Sequence, residues 1–252
     1  METRFIDLSL IIEPNESEPV SPHIEYISYE EGANILGKPA GIKKEDFPGG
    51  MAISQEHITL TSHSGTHLDA PSHYGPLCEG KPSKSIEEIP LEWCFNNGVV
   101  IHANPYIDEP VSAVEIEAYL DNINYVLQPF DVVLINTGAD RLWGTPKYFT
   151  EFRGVSLEAT KWLTNQGIKI IGVDSFGFDP PFERMLNNYR KSKNNQILWP
   201  AHLYGRQKEY CQIERLTNLN AIPMSTGFKV ACFPIKIKGA GAGWSRVVAI
   251  IE

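Results

Sequence analysis

Residues 131–173 hold a strand, a helix and a second strand in close succession. Asp131-Val132-Val133-Leu134-Ile135-Asn136-Thr137 is a β-branched apolar run that ends at Gly138. Ser156 then offers an N-cap, a helical stretch runs to about Gln166, and Gly167 stops it. Ile168–Val173 follows at once as a second core strand. Strand, helix, strand is the order of a right-handed crossover, so the expectation is an α/β or α+β layer fold. Further strands are expected at Phe5–Leu10, Ile58–Thr61 and Gly98–His102, within Tyr210–Leu216, and in Phe228–Ile237 and Ser245–Ile251. Ser112–Asp121 reads as a helix, and Ser85–Cys94 as a short one interrupted by Pro90. Strands would dominate the core, with three or four helices outside.

Residues 13–56 carry Pro14, Pro19, Pro22, Gly32, Gly37, Pro39, Gly41, Pro48, Gly49 and Gly50, and read as irregular. So long a loop inside a compact domain is usually functional, and this one is expected to shape or cover a pocket. The chain has 252 residues, no repeat and no evident linker, so a single domain over 1–252 is the simplest reading. With 31 acidic against 22 basic residues, the net charge is −9. That surplus argues against a nucleic-acid partner and against an anionic membrane surface. No apolar run approaches the ~20 residues of a membrane span, and the acidic start does not resemble a secretory signal. Cys78, Cys94, Cys211 and Cys232 form no C-x-x-C pair and read as reduced thiols of a cytoplasmic protein.

Three of the seven histidines fall within His63-Ser64-Gly65-Thr66-His67-Leu68-Asp69-Ala70-Pro71-Ser72-His73. Imidazole nitrogen together with carboxylate oxygen suits a borderline divalent metal. His67 and Asp69, two apart, share one face of an extended chain. Gly65 lets the backbone turn so that His63 reaches the same point. Pro71 is expected to fix a turn after Asp69 and block helix continuation, which leaves His73 offset, beside the metal as a proton carrier. His23, His57 and His102 match no ligand spacing and are expected to be solvated or hydrogen-bonded. Asp174 ends a core strand, where it could serve a ligand site or bond backbone amides of a turn. Trp143, Phe149, Phe176 and Trp199 could line an aromatic pocket or belong to the core.

The stretch resembles the pattern H-x-G-T-H-x-D-x-P-x-H of the cyclase-type metal-dependent hydrolases, which include bacterial kynurenine formamidase and isatin hydrolase. Phe5-Ile6-Asp7-Leu8-Ser9, Gly154-Val155-Ser156, Gly172-Val173-Asp174-Ser175 and Leu216-Thr217-Asn218-Leu219 resemble further blocks of that family. The resemblance implies a swivelling β/β/α fold, with a mixed-sheet, barrel-like core and flanking helices. It also implies that His202 and Glu214, twelve residues apart, complete the metal site. His63, His67 and Asp69 would hold one ion, and Asp69, His202 and Glu214 a second, with one or two ions of Zn²⁺ or Mn²⁺ per subunit. The implied reaction is hydrolysis of a C–N amide bond in an arylformamide or cyclic lactam, with His73 as general acid–base. A metal-dependent cyclase or dehydratase is the alternative. The expected substrate is small and aromatic or cyclic, and the expected assembly is a homo-oligomer, dimer or tetramer. This chain has no tryptophan before Trp93 and a longer 13–56 segment than the short formamidases, which argues against N-formylkynurenine as its substrate.

Overall fold

The structure is a computed structural model and describes residues 2–104 and 106–252. In chain order the strands are β1 (Arg4–Asp7), β2 (His23–Ile27), β3 (Gln55–Thr59), β4 (His67–Asp69), β5 (Leu77–Cys78), β6 (Lys81–Pro82) and β7 (Phe95–His102). They continue with β8 (Val132–Asn136), β9 (Ile170–Val173), β10 (Cys211–Glu214), β11 (Phe228–Ala231), β12 (Ala242–Trp244) and β13 (Val248–Ile251). The helices are α1 (Tyr29–Gly37), α2 (Pro71–Tyr74), α3 (Ala113–Asn122), α4 (Leu157–Asn165), α5 (Phe182–Ser192) and α6 (Pro200–Tyr204). No helix among the described residues is long and apolar enough to cross a membrane.

Nine strands form one mixed sheet in the order β1-β13-β11-β7-β8-β9-β10-β4-β12. Its centre, β7 to β10, is parallel, and the strands on either side are antiparallel. The parallel centre explains the unbroken apolar runs, because alternate residues enter two different cores. Val132 and Leu134 join Leu68, Ile213 and Val230 on one face, while Val133 and Ile135 pack with Ile116 of α3 and Leu163 of α4 on the other. The mixed-sheet core with flanking helices is therefore the expected fold class. Gly172 sits where β9 crowds its neighbours. A Cβ there would lie 2.7 Å from Leu216 Cδ1 and 2.9 Å from Leu134 Cδ2.

Several expected elements differ. The strand expected at Ile58–Thr61 starts earlier, as β3, and residues 13–56 are not irregular throughout. β2 and β3 pair antiparallel, with α1 between them in sequence. Ser28 starts α1 with a full capping box, its Oγ accepting from Glu31 N while Glu31 accepts from Ser28 N. Ser85–Cys94 forms two 3₁₀ turns on either side of Pro90 instead of a helix. The turn expected after Asp69 is a short helix: α2 begins at Pro71 and uses it in the first turn, where a missing N–H costs nothing. All four cysteines are free and buried.

Candidate metal centre

β4 and the turn before it bring His63, His67 and Asp69 together. Gly65, at φ +60°, supplies the left-handed residue that the turn between the two histidines needs. His63 Nδ1 lies 3.3 Å from His67 Nε2 and 2.9 Å from Asp69 Oδ1, and His67 Nε2 lies 3.4 Å from Asp69 Oδ1. β10 pairs with β4 and sets Glu214 opposite His67, with Glu214 Oε2 3.6 Å from His67 Nε2. α6 delivers His202, whose Nε2 is 3.5 Å from Glu214 Oε1 and 3.9 Å from Asp69 Oδ2. The five residues expected as ligands thus form one cluster, with Asp69 in its midst. His73, on α2, joins them, with ring centroids 4.3 Å from His63 and 5.5 Å from His202.

Hydrogen bonds decide which nitrogen of two rings faces the cluster. His67 Nδ1 donates to Gly65 O at 2.9 Å, and His202 Nδ1 donates to Asp179 Oδ2 at 2.7 Å. Both acceptors are oxygens, so in the neutral ring, the form a metal takes up, each Nε2 presents a lone pair. Asp179 also accepts from the backbone N–H groups of Ala201 and His202, which fixes the start of α6. Nothing in the sequence around Asp179 marks it, because it lies 23 residues from the histidine it orients.

Asp69 is fully buried, and neither of its oxygens accepts a sound hydrogen bond. A buried carboxylate left so is costly unless a cation satisfies it. Burial alone would raise its pKa, but the surrounding imidazoles, His67 first, hold it well below the usual value. Burial likewise opposes charge on His202, yet Asp179, Glu214 and Asp69 raise its pKa to about 9. The same balance, led on the raising side by Asp69, lifts His63. The carboxylates therefore draw positive charge into the cluster, as ligands for a divalent cation would. His73 behaves differently. Loss of water around its ring pushes its pKa down to about 4, so it is neutral near pH 7 and able to accept a proton.

A cavity of about 640 Å³ touches His63, His73, His202 and Glu214 and is walled by Phe149, Phe152, Phe176, Phe178, Phe182 and Trp199. Phe182 and Trp199 stack at 5.0 Å between centroids. Among the described residues no lysine or arginine lines it. Of the four aromatics singled out by sequence, Trp143 lies elsewhere, edge-on to Tyr148. From the 13–56 segment, Pro19 reaches the cavity and Glu18 bonds the metal loop; β2, α1 and β3 do not line it. Asp174 takes the turn-bonding role. It accepts from Thr137 N and Oγ1, Gly138 N and Ala139 N, while burial pushes its pKa up to about 6. His102 accepts from Asn136 Nδ2, and His23 and His57 are exposed.

The Cyclase family model matches residues 6–180, which include the metal loop but not His202 or Glu214. The chain is 25% identical over 202 residues to the kynurenine formamidase of Erythrobacter litoralis (strain HTCC2594), covering 79% of this chain and 78% of that protein. It is 24% identical over 223 residues to Cyclase-like protein 1 of Arabidopsis thaliana, covering 87% and 78%. Isatin hydrolase A from Ralstonia solanacearum has the same fold, with a TM-score of 0.77 at 21% identity, covering 99% of this chain and 92% of that one. Since the family model spans more than half of the chain and contains the turn and strand that carry His63, His67 and Asp69, the chain belongs to the Cyclase family.

Proposed function

We propose that this chain is a metal-dependent hydrolase of C–N amide bonds in small aromatic or cyclic substrates. The observation that carries the reading is Asp69, buried without a hydrogen-bond partner amid three imidazoles and Glu214. The kynurenine formamidase relative and the isatin hydrolase fold support the reaction class. His63, His67 and Asp69 would hold one ion, and Asp69, His202 and Glu214 a second. The nitrogen and oxygen donor set suits Zn²⁺ or Mn²⁺. A divalent cation there supplies Lewis acidity to a carbonyl and makes a bound water acidic near neutral pH.

The protein's own groups do the rest. Asp179 and the Gly65 carbonyl hold protons on His202 and His67, which keeps both Nε2 atoms aimed inward. Neutral His73 takes a proton from the attacking water on a ring nitrogen and returns it to the leaving nitrogen. Water adds across the C–N bond, giving a carboxylic acid and an amine. The aromatic walls stack on the substrate ring and exclude bulk water. With no lysine or arginine in the wall among the described residues, the apolar part of the cavity suits a neutral ring better than one bearing a free carboxylate. Four reduced cysteines suit a cytoplasmic setting. The apolar face of the β2–β3 module supports a homo-oligomer, dimer or tetramer.

The test is dialysis against a chelator, followed by assay on aryl formamides and isatin-like lactams. Turnover should vanish and return with Zn²⁺ or Mn²⁺, giving a ring-opened product heavier by one water from a lactam, and formate with a free aryl amine from a formamide. Full turnover by metal-free protein, or a product lighter by one water, would overturn the reading.

A further inference from the structure

Glu18 comes from the N-terminal segment, far in sequence from every expected ligand, yet its carboxylate is buried against the metal loop. It is 8% exposed. One oxygen accepts from Gly65 N at 2.8 Å, in the turn between His63 and His67. The other pairs with Arg215 Nη1 at 2.6 Å, and Arg215 is the residue directly after Glu214. Arg215 has a left-handed backbone at φ +63°, a conformation that costs a non-glycine residue energy unless its surroundings impose it. They do so here. Arg215 N donates to Ser175 O at 3.0 Å, and Thr66 Oγ1 donates to Arg215 O. The guanidinium donates to Phe176 O and lies 4.1 Å from the centre of the Phe176 ring, a wall of the substrate cavity. Ser17, one residue earlier, seats the segment by donating to Thr145 O and accepting from Gly144 N.

We infer that Glu18 is a positioning residue of the metal centre: one buried carboxylate ties the turn carrying His63 and His67 to the strand end carrying Glu214. Both halves of the ligand set are held in register by it, through Gly65 N on one side and Arg215 on the other. Through Arg215 it also steadies Phe176, so ligand geometry and pocket wall share one support. Its partners are the reason for its burial, since a lone buried carboxylate would be expensive. The inference rests on the metal-centre reading above.

The experiment titrates chelator-stripped full-length protein with Zn²⁺ and with Mn²⁺, and follows affinity by calorimetry and the metal-induced rise in Tm. Residues that support metal ligands typically matter by about 10–100-fold in metal affinity. Glu18→Ala should weaken binding by a factor in that range and shrink the Tm rise. Glu18→Gln keeps an acceptor for Gly65 N but loses the charge facing Arg215, and should fall between the two. It carries the test alone if Glu18→Ala does not fold. A purely structural role would lower the Tm of the stripped and loaded forms equally and leave affinity unchanged; that result overturns the inference. If wild-type protein binds neither ion, the metal-centre reading fails and the inference with it.

Discussion

Within the cluster, distance alone does not divide ligands from proton carriers. His73 stands as near His63 as a ligand would, and His63, Asp69 and His73 could together hold an ion. Chemistry divides them by experiment. His67→Ala removes a lone pair aimed at Asp69 and Glu214, so metal content and turnover should fall together. His73→Ala should keep its metal and lose about 10²–10⁴ in kcat, with a modest change in KM, because general acid–base catalysis acts in the transition state. Metal analysis of both purified variants beside their kinetics is the check. Metal loss in His73→Ala in proportion to activity would make His73 a ligand. At this scale the sequence was informative where the residues are close neighbours. His63, His67 and Asp69 lie within one turn and one strand, so spacing alone marks them as candidates. His202 and Glu214 needed the family resemblance, since a helix and a distant strand bring them in. Asp179, Glu18 and Arg215 carry no local pattern, and only tertiary pairing reveals them.

Elements were legible where one signal dominated. Ser112 and Ser156 cap α3 and α4 as read, each accepting from the backbone N–H three residues on. The misses arose where two signals competed. Glycines and prolines in residues 13–56 hid the Ser28-Tyr29-Glu30-Glu31 capping box of α1. Proline read as a breaker concealed α2, and the polar surface of α5 hid its helical pattern. One glycine links an element's shape to the site. Gly154 has φ +71°, and Val155 N donates to Phe178 O, holding this strand-like segment against the loop that carries Asp179. A Cβ on Gly154 would lie 2.6 Å from Pro180 N and 2.7 Å from Asp179 C, both backbone atoms that cannot swing aside. Gly154→Ala should therefore destabilise the protein by about 1–3 kcal/mol from backbone strain alone. It should also weaken metal binding, because the displaced backbone carries the carboxylate that orients His202. Urea unfolding and metal titration of this variant measure the two effects. Wild-type metal affinity in a destabilised variant would show that Asp179 tolerates the shift.

On the scale of the whole molecule, the module spanning residues 23–59 stands apart from the nine-stranded sheet. Among the described residues, every hydrogen bond made within 23–59 stays inside that stretch. The register pairs Ile24 with Ile58 and Tyr26 with Glu56, so these four side chains share one face of the β2–β3 ribbon. Glu25, Ile27 and His57 lie on the other face, where they line a small cavity with Glu31, Asn34 and Ile35 of α1. The Ile24 face has no such cover, and Tyr26 is 70% and Ile58 53% exposed. A two-stranded ribbon is marginal in water without a further packing surface. Elsewhere on the chain, Ile11, Phe233 and Ile235 are exposed along a groove with Leu10, Ile12 and Trp244, which gives a second copy an apolar surface to meet. Burial of the ribbon face against a second copy would supply the missing surface and cover apolar groups that a monomer would keep in water. Light scattering on the wild-type protein should thus give at least twice the chain mass. Tyr26→Lys with Ile58→Lys places two charges on that face without touching the site or the core. The double variant should shift toward the single-chain mass while keeping the far-UV circular dichroism and metal affinity of the wild type. A wild-type protein that runs as one chain at micromolar concentration, or a double variant of unchanged mass, would mean that the ribbon face is not where copies meet.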